Sequence, residues 1–120
     1  MTNKEARPGI LQGTLDLMVL QTLGLMGPQH GYSIAARIEQ ASDRALELNM
    51  GTLYPALMRL EQRGFVKGKW DVTENNRKAR FYSLTAAGRK QLEVEKAGWA
   101  QTAGTIHRLL AELASASQPR

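Results

Sequence analysis

The spacing of apolar positions changes along the chain, and each change predicts an element. Over residues 10–26, Leu11, Leu15, Leu17, Met18, Val19, Leu20, Leu23 and Leu25 surround most of a helical circumference, with Gln12, Asp16 and Gln21 the main polar positions. A helix apolar nearly all round must be covered from more than one side. Gly27-Pro28 ends it, and Ile34, Ile38 and Ala41, spaced i, i+4, i+7, predict a second helix over residues 31–42 with a narrow buried face. After a polar linker at 43–48, Asn49 suits the N-cap of a third helix whose stripe is Leu53, Leu57 and Leu60 and which stops at Gly64. Pro55 is awkward within it, because an interior proline removes a backbone hydrogen bond. Either Thr52 is the true cap or the helix bends.

Residues 65–72 then alternate, with Val66 and Trp70 on one face and Lys67, Lys69 and Asp71 on the other. A polar turn at 74–78 leads to a second alternating run at 80–84, with Tyr82 and Leu84 on one side, so the pair predicts a β-hairpin with a cationic tip. Thr85 caps a final helix reaching about residue 115, roughly 45 Å at 1.5 Å per residue. In it Leu92, Trp99, Ala103, Ile106, Leu110 and Leu113 recur at steps of 7, 4, 3, 4 and 3, one continuous apolar seam. A domain this small cannot cover so long a seam by itself. With Leu15 of the first helix, Leu92, Trp99, Ile106, Leu110 and Leu113 are the expected interface of a two-fold homodimer; a helix folded back on its own subunit is the competing reading.

The expected architecture is mainly α with a small β-hairpin, a winged helix-turn-helix followed by a long dimerisation helix. Residues 1–9 read as a flexible arm, 10–84 as a DNA-binding winged domain, 85–115 as the dimerisation helix and 116–120 as a frayed tail. A chain of 120 residues, 42% apolar, suffices for one such domain and not for two.

Composition narrows the chemistry. There is no cysteine, which removes disulfides, thiolate metal sites and cysteine nucleophiles and suits a reducing cytoplasm. The longest apolar run spans residues 17–20, far short of a membrane span, and the start has no secretion core. Of the net charge of +5, the window 59–80 supplies +4, from seven basic and three acidic residues. A basic patch so confined is the footprint of a phosphate-backbone binder. The histidines, His30 and His107, lie far from any nucleophile, base or ligand cluster in sequence, so neither an enzyme nor a metal or cofactor site is expected.

In a winged helix the third helix enters the major groove and the hairpin lays its cations along the backbone or minor groove. With its leucines turned inward, the third helix offers Thr52, Tyr54, Arg59 and Arg63 to DNA. Tyr54 packed on the hairpin and Thr52 as a cap are the structural alternatives. The fold alone does not dictate nucleic-acid binding, so a protein-interaction module is the competing function.

The segments 14–20 (TLDLMVL), 30–34 (HGYSI), 51–61 (GTLYPALMRLE), 63–65 (RGF) and 80–88 (RFYSLTAAG) closely resemble the PadR family of bacterial transcriptional regulators, in order and spacing, over residues 10–110. The single long final helix is similar to the family's short branch. The resemblance implies a dimeric repressor that leaves its double-stranded DNA operator when a small aromatic or drug-like effector binds. It implies phosphate contacts at Gly31, Tyr32 and Ser33, DNA contacts at Thr52, Tyr54 and Arg59, and a basic wing of Arg77, Lys78 and Arg80. Many members have a glycine- or proline-rich wing tip, where this chain has Asn75-Asn76-Arg77-Lys78-Ala79. It further implies that Trp99 faces its symmetry mate and lines an effector cavity, beside which Ile10, Leu17 and Ala103 are expected.

Overall fold

The stripe Leu53, Leu57 and Leu60 lies at the centre of the core, each residue almost wholly buried. Around it the computed structural model, which describes residues 12–117, arranges α1 (Gln12–Met26), β1 (Gln29–His30), α2 (Gly31–Ala41), α3 (Met50–Gln62), β2 (Val66–Val72), β3 (Lys78–Leu84) and α4 (Ala86–Ser117). The N-terminal arm and Ile10 lie outside the described residues. Leu15, Val19, Leu20 and Leu23 of α1, Ile34 and Ile38 of α2, and Val66, Tyr82 and Leu84 of the strands complete the core. As the all-round apolar pattern requires, α1 packs against α2, α3, α4 and β3. Leu17 and Met18 are left half-buried, and Leu25 is exposed.

Local chemistry fixes the boundaries. Asn49 caps α3: its side-chain oxygen accepts the Thr52 amide at 2.9 Å, so Thr52 is not the cap, and Pro55 lies inside the helix. Gly64 ends α3 with φ +82°, its amide donating to the Glu61 carbonyl at 3.0 Å while the Phe65 amide donates to the Leu60 carbonyl at 2.9 Å. This paired closure needs a left-handed residue, which glycine provides without a Cβ clash. Thr85 caps α4, accepting the Gly88 amide at 3.0 Å, and its hydroxyl donates to the Gly64 carbonyl at 2.6 Å, joining the two helix ends. A Cβ at Gly88 would fall on the Phe65 carbonyl, so only glycine lets α4 sit this close to the α3–β2 turn.

The sheet is antiparallel in the order β1-β3-β2, with Val66 opposite Leu84 and Val72 opposite Lys78. Strand β1, two residues pairing Gln29 with Tyr82 and His30 with Phe81, has no alternating run in sequence. At the wing tip Asn76 takes φ +61°, a conformation asparagine tolerates better than most residues. The Thr73 hydroxyl accepts the amides of Asn75 and Arg77 at 3.3 and 3.2 Å. Asparagine and threonine thus shape a tip that contains no glycine.

The seam of α4 divides. Leu92 is 7% exposed and Leu15 of α1 only 2%, both covered by the protomer's own core. Both were expected in a dimer interface, and in the protomer they are part of its core. Beyond Leu92, the side chains of Val94, Trp99, Ile106, Leu109, Leu110 and Leu113 stand exposed, since the winged body ends before the helix does. Among the described residues no helix is long and apolar enough to cross a membrane.

Candidate nucleic-acid interface

A cleft of about 880 Å³ runs between the start of α2, the outer side of α3 and the hairpin, and it gathers Tyr32, Ser33, Tyr54, Arg77, Lys78 and Arg80. His30 opens it as the N-cap of α2: its Nδ1 accepts the Ser33 amide at 3.4 Å, and the Ser33 hydroxyl donates to the His30 carbonyl at 2.8 Å. The first turn of α2 therefore directs amide dipoles toward the cleft, the polarity that favours an anion. Gly31 is buried there, and a Cβ on it would touch the Tyr54 ring at 3.5 Å, so Tyr54 leans on α2 as well as facing the cleft. Arg77 and Lys78 are exposed at the wing.

Trp70, on the same alternating face as Val66, also lines this cleft and is 63% exposed. Alternation identified its face, but the helices that cover Val66 do not reach Trp70. Its signal in the sequence was a large aromatic between Lys69 and Asp71, at a strand position past the core.

Two arginines expected on DNA are bound within the protein. Arg59 Nη2 reaches back to Asp16 Oδ1 on α1 at 3.2 Å, and its Nε is buried without a hydrogen-bond partner among the described residues. Asp16 is 5% exposed. Burial pushes its carboxyl above the ordinary value, and the hydrogen bond and charge of Arg59 oppose that rise without cancelling it. Arg59 is thus turned toward α1, where it partners a buried carboxylate. Arg80 is held bidentately by Glu61 of α3, at 3.0 and 2.6 Å, with its guanidinium 5.7 Å from the Tyr82 ring centre. Gly68 makes room, since any Cβ there would strike that guanidinium. Arg80 therefore fastens the wing to α3, its charge partly matched by Glu61. Burial also pushes the Tyr82 phenol upward. Arg63 and Thr52 are exposed near the two ends of α3 but do not line the cleft, and Arg63 lies over the Phe65 ring at 5.0 Å.

A second, mostly apolar concavity of about 650 Å³, sharing no lining residue with the cleft, brings Leu17 and Trp99 together with Met18, Leu25, Ile38 and Leu46. Gln21, Arg37 and Lys96 stand in its lining; Ala103 is half-buried and does not contribute. Among the described residues no group of histidine, aspartate and glutamate is arranged to hold a metal ion.

A helix-turn-helix followed by a cationic hairpin is the winged-helix fold. The chain belongs to the PadR-like family of transcriptional regulators, whose family model matches residues 19–94. A transcriptional regulator from Clostridium thermocellum superposes with a TM-score of 0.72 at 28% identity, over 81% of this chain and 93% of that one. A PadR family transcriptional regulator from Eggerthella lenta gives 0.68 at 28% identity, over 88% and 86%. A Streptococcus mutans protein shares the fold, with a TM-score of 0.76 at 22% identity over 87% and 92%. An uncharacterized 37.1 kDa protein in a transposon of Streptomyces fradiae is 41% identical over 80 residues, or 67% of this chain, and the chain spans 21% of that relative's length.

Proposed function

We propose that this regulator is a cytoplasmic homodimer that represses transcription by holding a double-stranded DNA operator and leaves it when a flat aromatic or drug-like molecule binds. The observation that carries this reading is the division of the surface. Exposed Tyr32, Tyr54, Arg77 and Lys78 share one cleft, while the exposed apolar residues of α4 lie apart from it. Cations on the wing suit phosphates, and an uncovered apolar stripe as long as this one suits a second copy of the same helix. A dimer spaces two α3 helices to meet half-sites about 34 Å apart.

The effector part of the reading is supported by Leu17 and Trp99, which share the apolar concavity, Trp99 half exposed. An aromatic ligand gains area by stacking there, and a second protomer closing over it would make the cavity sensitive to occupancy. The test is binding to the promoter of the chain's own gene against random DNA, with and without planar aromatic compounds. Specific retention by a dimer, weakened by a compound that also quenches Trp99 fluorescence in a Trp70→Phe background, is the expected result. Equal binding to random DNA sinks the regulator reading, and quenching with unchanged DNA affinity sinks the effector part alone.

A further inference from the structure

The outward stripe of α3, directly opposite Leu53, Leu57 and Leu60, is Gly51, Pro55, Met58 and Gln62, at i, i+4, i+7 and i+11. All four are exposed and none is charged; Met58 is 57% exposed. The arginine nearest this stripe, Arg59, is drawn to Asp16, and Arg63 at the helix end lies over Phe65. The part of the helix that projects farthest from the protein therefore offers a proline ring and a thioether, with glycine before them and one amide after. In the major groove the base feature that matches an apolar group is the thymine methyl, which no other base carries.

We propose that Pro55 and Met58 read thymine methyl groups in the major groove, so that the sequence preference of this regulator rests on apolar contact rather than on arginine–guanine pairing. The proposal rests on the DNA-binding reading above. Gly51 lets the start of the stripe approach the groove without a side chain in the way, and Gln62 is placed to hydrogen-bond an adjacent adenine edge. The cleft cations Arg77 and Lys78 then fix position on the backbone without contributing to that choice.

The test uses the full chain and a duplex selected by it from a random-sequence pool at fixed salt, resynthesised with deoxyuridine in place of every thymine. The wild type should bind the uracil duplex about fourfold more weakly per methyl contact, hence roughly fifteenfold for one contact in each of two half-sites. Met58→Ala, whose side chain is exposed and whose melting temperature should match the wild type, should weaken binding to the thymine duplex and shrink the gap. Arg63→Ala should leave the gap in place. Equal wild-type affinity for both duplexes overturns the proposal, as does a gap undiminished in both Met58→Ala and Pro55→Ala. A pool that yields no preferred duplex overturns the regulator reading itself, and this proposal with it.

Discussion

Helices α3 and α4 carry apolar triplets of identical spacing with opposite fates. Leu53, Leu57 and Leu60 of α3 and Ile106, Leu110 and Leu113 of α4 both run at steps of four and three. The first three are at most 1% exposed, whereas the last three range from 47 to 67%. A stripe records that a face is built to be covered; it does not record by what. In α3 the cover is the rest of the protomer, and in the distal part of α4 no described residue provides it. The polar side chains show a parallel contrast. Arg59 and Arg80 are bound to Asp16 and Glu61, while Arg77 and Lys78 stand exposed at the wing.

The comparison is broken most forcefully at α4. Ile106→Glu with Leu110→Glu should convert the proposed dimer to monomers in sedimentation, a loss on the order of 4 kcal/mol or more, because charges in a desolvated interface lack partners. Operator affinity should fall with it while helical content persists. Leu110→Ala should leave an isolated protomer nearly unchanged, whereas Leu57→Ala in α3 should cost about 3 kcal/mol at every protein concentration, since it opens a cavity in a filled core. Chemical denaturation over a concentration series separates the two.

The same contrast among the cations gives the next effects. Arg59→Ala should destabilise the protein by about 3 kcal/mol at neutral pH, the low end for breaking a buried pair because Arg59 is partly exposed. That loss should shrink in acid, where Asp16 is protonated. The native carboxyl of Asp16 holds its proton more tightly than the unfolded chain does, as its pKa is raised from 3.8. Asp16 therefore favours the fold less as pH rises from 3.8 through the raised native value, and its effect is level above that. Asp16→Asn lacks this titration, so its stability relative to the wild type should rise over that window and then hold steady, as read from urea midpoints against pH. A difference that falls over that window contradicts the direction of the shift.

The smallest effect on stability and the cleanest on DNA belongs to the wing. Reversing Arg77 and Lys78 to Glu should leave the melting temperature within a few degrees, weaken binding to all duplexes alike and flatten the salt dependence by about one unit of slope per lost phosphate contact. An unaltered slope removes the wing from the interface.

Sequence alone determined what depends on near neighbours. The turn chemistry of Gly64 and Thr85, the inward stripe of α3, the hairpin and its cations, and the extent of α4 all follow from backbone conformations and periodicities set within a few residues, whereas Pro55 left the α3 cap open between Asn49 and Thr52. The family was legible for the same reason, because its segments are these local devices in a fixed order. Tertiary structure decided which faces meet. Asp16 and Arg59 lie 43 residues apart, and only the packing of α1 on α3 brings them into contact. Strand β1 is too short to show a period and exists because β3 has an open edge beside it. Leu15 and Leu92 lie in the core and Trp70 lines the cleft, because the winged body covers one end of a stripe and stops before the other. Coverage is a property of where surfaces end in space, and no spacing along the chain encodes it.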